Sequence, residues 1–141
     1  MLIVERVAAL HRVDLFAATP GIVLAAVAAA AEEVTLEAGD VLIEAGAVED
    51  TCYAILTGRV QVLVNGRVLV EAGPGSTVGE LAVLAPEPRS ATVKAIEPSG
   101  FLRVHKATID DLIADQPVFA SSIITALVAR LRATSAHLDS T

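Results

Sequence analysis

Cysteine, tryptophan and histidine are the scarce residues here: one Cys, no Trp and three His in 141 residues. A lone Cys52 excludes an internal disulfide and a metal site built from several thiolates. It sits beside Tyr53 in an apolar run, the setting of a small buried hydrophobe rather than of a reactive thiol. His11, His105 and His137 lie far apart without ligand spacing, and carboxylates do not cluster around them, so no metal and no catalytic constellation is expected. Positive charge is also in short supply. Ten Lys and Arg face 17 Asp and Glu, for a net charge of -7. An acidic surface repels phosphate backbones, so no nucleic-acid partner is expected, and any anionic ligand must be held by local positive groups.

An uninterrupted membrane-length run is missing from the opening as well. Met1 to Arg12 followed by Leu15 to Ala31 imitates a signal peptide, but Glu5 occupies what should be a basic end and Pro20-Gly21 breaks the apolar run. The run is too short and too rich in alanine to span a bilayer. Two packed amphipathic helices are the better reading, with a cytoplasmic location and no direct membrane insertion as expectations.

What is present is enough for one domain. The length suits a single core, and the 54% hydrophobic content supports a well-packed one, although much of it is alanine. Leu2, Ile3, Val7 and Leu10 have helical spacing, and Thr19 as N-cap with Pro20 at the first helical position predicts a second helix. From Glu33 the pattern changes to short β-branched segments: 34–36, 41–43, 51–56, 59–64, 67–70, 91–95 and 100–104. Turn residues punctuate them, and Asn65-Gly66 between alternating apolar runs is the strongest hairpin signal. Short strands at regular spacing predict a sandwich or barrel-like roll. After Lys106 the pattern is helical again: a short helix opened near Thr108 and running to Asp115, then a longer one from Pro117 with Phe119, Ile123, Leu127 and Leu131 every four residues. The expected organisation is one domain over 1–141, with helices in 1–32, a β-roll in 33–106 and C-terminal helices in 107–138. No helix-turn-helix fits after residue 138, so a complete chain of this length would not be a transcription factor of the usual kind.

The informative stretch is Val78 to Thr92, V-G-E-L-A-V-L-A-P-E-P-R-S-A-T. Gly79 permits close backbone approach, and the turn from Glu80 to Leu84 offers N–H groups at its start. Arg89 supplies a forked, permanently charged partner for a phosphate, while Glu80 is an acceptor suited to a sugar hydroxyl. Together they fit a sugar-phosphate ligand.

At this point the sequence resembles the cyclic-nucleotide-binding domains of the protein kinase A regulatory subunit, the catabolite activator protein and cyclic-nucleotide-gated channels. Their phosphate-binding cassette, approximately F-G-E-L-A-L-x-x-x-x-P-R-x-A-T-V, is matched at Gly79, Glu80, Leu81, Ala82, Pro88, Arg89, Ala91, Thr92 and Val93, with the same spacing from Glu80 to Arg89. Gly39-Asp40, Gly46, Tyr53, Gly58 and Gly73-Pro74-Gly75 follow the family's upstream scaffold, and the likeness covers roughly residues 15 to 135. It departs at Val78, where an aromatic is usual, and at Ser76, where Asp is frequent.

The resemblance implies a mainly β fold, an eight-stranded double-stranded β-helix or jelly-roll-like β-roll with N-terminal helices and two C-terminal helices. It implies that Arg89 binds the exocyclic oxygens of a cyclic phosphate and Glu80 the ribose 2′-hydroxyl. Backbone N–H groups of Leu81, Ala82 and Ala91 complete the cradle, and Ser90 adds a hydroxyl to phosphate or base. Leu127, Arg130 and Leu131 are the candidates for base contact, because the frequent aromatic cap is absent or comes from a partner. The implied function is a non-enzymatic regulatory sensor with cAMP or cGMP as ligand, cAMP favoured, no cofactor, and an effector domain or protein as partner. Two other classes stand beside it: a ligand-free protein-interaction module that keeps the fold, and a metal-dependent cupin, which the scattered histidines disfavour.

Overall fold

The computed structural model describes residues 1–139. Two helices open it, α1 (Ile3–His11) and α2 (Gly21–Ala30), joined through a 3₁₀ turn at Asp14–Phe16. The strands follow as β1 (Glu32–Leu36), β2 (Val41–Ile43), β3 (Thr51–Thr57), β4 (Val60–Val64), β5 (Arg67–Ala72), β6 (Thr77–Val78), β7 (Thr92–Ala95) and β8 (Ser99–His105). A second 3₁₀ turn, Glu80–Val83, separates β6 from β7, and α3 (Lys106–Asp115) and α4 (Pro117–Asp139) close the chain.

The strands form two antiparallel four-stranded sheets in the orders β1-β8-β3-β6 and β2-β7-β4-β5, the crossed connectivity of a jelly roll. Asn65 and Gly66 both have positive φ, 52° and 77°, the primed turn that twists with its flanking strands and so sets the β4–β5 hairpin. β6 lies where the sequence reads as part of a glycine turn. Its two residues pair with Tyr53 and Ala54, and so short an element leaves no periodicity to read.

Strand alternation gives the first sheet two apolar faces. Cys52, Ala54, Leu102 and Val104 face the helices, where they join Leu10, Phe16, Leu24, Ile109, Phe119 and Ile123 in one buried cluster. Tyr53, Ile55 and Phe101 face the second sheet and pack with Ile43, Val60, Val78 and Val93 in another.

The start of α2 corrects the sequence reading. Pro20 is the N-cap and Gly21 the first helical residue, with the Pro20 carbonyl accepting from Val23 and Leu24. The Thr19 hydroxyl caps nothing; it is buried against Ser122 Oγ of α4 at 2.9 Å. α3 begins at Lys106, two residues before Thr108, with His105 as N-cap. The four-residue stripe of α4 also separates in space, because twelve residues at 3.6 per turn rotate by about 120°. Phe119 and Ile123 are buried, Leu127 is half-buried and Leu131 is 66% exposed. By length and composition the Pro117–Ser135 stretch would pass as a bilayer-crossing helix; its Phe119, Ser122 and Ile123 are buried within the domain.

Candidate phosphate and sugar site

The loop between β6 and β7 is pinned at both ends. At its far end Arg89 exchanges two backbone bonds with the Gly46–Ala47 turn: Gly46 N–H donates to Arg89 O at 2.8 Å and Arg89 N–H to Ala47 O at 2.8 Å. Gly46 has a φ of 87°, which favours glycine at that turn. Thr92 Oγ1 accepts from Ala45 N at 3.1 Å and ties down the following strand. At the near end Gly79 has a φ of 73°. A Cβ there would stand 2.5 Å from Arg89 Nη1, so glycine is required both by the backbone and by the guanidinium packed on it.

Arg89 is consequently 7% exposed. Its Nη2 donates to Thr51 O at 2.7 Å and to Thr51 Oγ1 at 3.2 Å, and its Nη1 donates to Gly79 O at 3.3 Å. Among the described residues Nε is buried with no hydrogen-bond partner, and no carboxylate forms an ion pair with this guanidinium. A buried cation held only by neutral acceptors is an electrostatic deficit that a bound anion would fill. Thr51 was not legible as part of this site: a β-branched residue opening an apolar strand signals only the strand.

Arg89 lines a cavity of about 650 Å³ with Gly79, Glu80, Ala82, Ser90 and Ala91, a volume suited to a small organic ligand. Ile43, Val62, Leu84, Val93 and Leu127 supply its apolar wall, and Glu87 and Thr77 add polar groups. The sequence thus places six of its seven cassette candidates on one concave surface. The seventh, Leu81, lies in the 3₁₀ turn between Glu80 and Ala82. Ala82 N–H donates to Gly79 O at 3.2 Å and closes that turn.

The base-contact candidates divide. Leu127 lines the cavity, whereas Arg130 and Leu131 do not. Arg130 turns to the other side of Glu80: its Nη1 donates to Glu80 Oε1 at 2.8 Å, and Nε and Nη2 fork onto Asp14 at 2.8 to 3.2 Å. Burial works against its charge, but the Asp14 and Glu80 carboxylates outweigh that and hold its pKa above the ordinary value. Asp14 and Arg130 are 116 residues apart, too far for any local pattern to signal. A second cavity of about 550 Å³ is bordered by Arg12, Asp14, Ser76 and Arg130, with Glu80 and Thr77 shared by both cavities.

Cys52 lies within electrostatic reach of both cassette charges. Burial pushes its thiol up to about 12, Glu80 adds to the shift and Arg89 opposes it, so at neutral pH the sulfur is a protonated packing group. Among the described residues no three His, Cys, Asp or Glu side chains converge as metal ligands.

A family model for the cyclic nucleotide-binding domain matches residues 33–116, the roll, the cassette and α3. Among curated proteins, the Pycsar effector protein PaPycTIR of Pseudomonas aeruginosa is 40% identical over 101 residues, 71% of this chain and 32% of that protein. Among solved structures, the N-terminal domain of a transcriptional regulator from Streptomyces coelicolor A3(2) superposes with a TM-score of 0.82 at 30% identity, covering 92% of this chain and 94% of that one. The regulatory domain of Toxoplasma gondii PKA, solved with cAMP, superposes with a TM-score of 0.72 at 28% identity over 77% and 43% of the two chains. The chain spans about a third or less of the length of the curated relatives it matches first. The eight-stranded roll, the arginine cassette and the match over 33–116 have one common reading: this chain belongs to the cyclic nucleotide-binding domain family.

Proposed function

We propose that the chain binds a cyclic mononucleotide, cAMP in preference to cGMP, and serves as a non-enzymatic sensor that regulates an attached or separate effector. The observation that carries this reading is the buried Arg89 guanidinium in the cavity wall, which pairs with no carboxylate among the described residues. A cyclic phosphate supplies the missing charge at Arg89, and Glu80 accepts from the ribose 2′-hydroxyl. Gly79, Leu81, Ala82, Ser90 and Ala91 form the surrounding cradle. The structural relative solved with cAMP supports the choice of base. The similarity to one third of an effector protein supports a sensor module within, or beside, a larger machine. No nucleic acid, membrane insertion or cofactor enters this reading, and its setting is cytoplasmic.

Transmission runs through α3 and α4. Gln116, with φ -131° and ψ 89°, breaks the helix between them. α4 buries Phe119 and Ile123 in the helical core and also places Leu127 on the cavity wall. A base resting on Leu127 therefore acts on the same helix that closes the core. A ligand shifts its position only by the difference in affinity between the two states.

Isothermal titration with cAMP and cGMP tests the proposal. Binding at micromolar affinity or better is expected, and Arg89→Ala should weaken it by about 2 to 5 kcal/mol, as for one partner removed from a buried charge pair. Unchanged affinity in the variant would place the phosphate elsewhere; no binding of either nucleotide would favour an interaction module that keeps the fold without the ligand.

A further inference from the structure

We infer that Glu87 is a specificity residue that acts by repulsion: its carboxylate, in the cavity wall, admits a singly charged cyclic phosphate and disfavours nucleotides with a doubly charged phosphate, such as 5′-AMP. The inference rests on the cyclic-nucleotide reading of the cavity and adds to it the charge state of the ligand.

Among the described residues that line the cavity three are charged, Glu80, Glu87 and Arg89. The Glu80 charge is balanced from outside, by Arg130 at 2.8 Å. Arg89 is turned onto Thr51 and Gly79, away from its near neighbour in sequence, and among the described residues Glu87 forms no ion pair. The wall therefore offers one cation and one uncompensated carboxylate. The sequence holds that carboxylate in place. Pro86 and Pro88 flank Glu87; each proline fixes its own φ, and Pro88 confines the residue before it to extended backbone. Pro88 pairs with Val48, and Arg89 exchanges two backbone bonds with Gly46 and Ala47, so the backbone that carries Glu87 is anchored beside the arginine. The Glu87 side chain is exposed and lines the cavity.

A loop carboxylate elsewhere would only be solvated; this one borders the space of an anion. A cyclic phosphate is a diester with one negative charge, which Arg89 matches. A phosphate monoester carries about -1.5 to -2 at pH 7. Its second charge finds no second cation among the described lining residues and is repelled by Glu87. Specificity is a difference of affinities, and a repulsive group set against the wrong ligand adds to it as an attractive group for the right one does. Glu87 repels the diester once and the monoester twice, so it weakens both and widens the gap between them.

The test separates charge from shape. Competition against bound cAMP, or against cGMP with the guanosine series where that base binds more tightly, is measured with 5′-AMP and with its 5′-O-methyl ester. At about pH 8, above the monoester's second pKa of about 6, 5′-AMP is a dianion; the ester is an open-chain monoanion of nearly the same shape. Glu87→Gln should tighten cAMP and the ester by a common factor of about two to five, the repulsion of one unit charge across several ångströms of partly aqueous surroundings. It should tighten 5′-AMP by about the square of that factor, so affinity for 5′-AMP relative to the ester rises about two- to fivefold. The rise should shrink at about 1 M salt, where the screening length is about 3 Å. Glu87→Asp keeps the charge and should keep the ratio of the unmodified chain. An unchanged ratio in Glu87→Gln, or no competition by 5′-AMP in that variant, would overturn the charge filter and leave the site reading intact, since cAMP binding by the variant reports its fold. Absence of any binding of cAMP or cGMP by the unmodified chain would overturn the site reading, and this inference with it.

Discussion

The β1-β8-β3-β6 sheet has two apolar faces whose neighbours differ in kind. Toward the second sheet, Tyr53, Ile55, Phe101, Val60 and Val93 are all contributed by residues 41 to 101, so that core closes within the roll. Toward the helices, Cys52, Ala54 and Leu102 wait on partners from both ends of the chain, Leu10 and Phe16 on one side, Phe119 and Ile123 on the other. The first core is a frame; the second is a docked layer whose fit depends on where α4 lies. The cassette joins them, since Val78 is buried in the inter-sheet core and Val83, five residues on, in the helical one. The intervening turn therefore lies at the boundary between the two cores.

The largest effect expected is from cutting the frame. Phe101 is fully buried and meets Tyr53 edge to face at 6.3 Å. Phe101→Ala should cost about 3 to 5 kcal/mol, a large share of a small domain's stability, and both sheets and helices should lose protection together in hydrogen exchange. Phe119→Ala removes an equally buried ring, stacked on Phe16 at 6.5 Å, and the cost on removal is again about 3 to 5 kcal/mol for the layer it holds. Here amides of α3 and α4 should open before those of β3, β4 and β8. Simultaneous opening in both variants would show that the two cores are one cooperative unit and remove the distinction.

Gly79→Ala acts at the boundary. It imposes a side chain on a left-handed backbone at a cost of about 1 to 2 kcal/mol, and its Cβ displaces Arg89 Nη1 from 2.5 Å. Because that guanidinium is held by Thr51, displacement breaks bonds rather than merely rotating a free end. Cyclic-nucleotide affinity should fall by at least about tenfold, in line with the loss of a charge-assisted contact, while thermal unfolding changes modestly. Retained affinity would mean that Arg89 relaxes without loss, and that the cassette is softer than its pinned ends indicate.

The frame and the site were legible in the sequence to different extents. Local backbone demands could be read directly: Asn65-Gly66 turns as expected, and the spacing from Gly79 to Arg89 brings both residues to one cavity. Contacts made at long sequence range were not. Nothing near Thr51 announces that its carbonyl will hold Arg89, and Arg130, expected at the base, is instead claimed by Asp14 from the opposite end of the chain. The regular four-residue stripe of α4 misleads for a simpler reason. It drifts around the helix, so Leu131 leaves the side that Phe119 and Ile123 bury.

The smallest effects concern the polar link within the docked layer, and their signs are more telling than their size. Ser122 Oγ donates to Phe119 O at 2.7 Å, so its single hydrogen is committed and Thr19 Oγ1 must be the donor in the 2.9 Å contact between the hydroxyls. Thr19→Val therefore removes a donor and its hydrogen bond together, keeps the branched shape, and leaves Ser122 with only an idle lone pair. The expected cost is about 0.5 to 1.5 kcal/mol, the net worth of one neutral bond. Ser122→Ala is the harsher change, because it strands the buried Thr19 hydroxyl without an acceptor, for about 1 to 3 kcal/mol. Adding Thr19→Val to Ser122→Ala should then recover stability, since the stranded group is gone. Denaturant unfolding of the four proteins measures the coupling. Strictly additive losses would mean that the hydroxyl pair does not tie α4 to the N-terminal layer, and that apolar packing alone docks the helix.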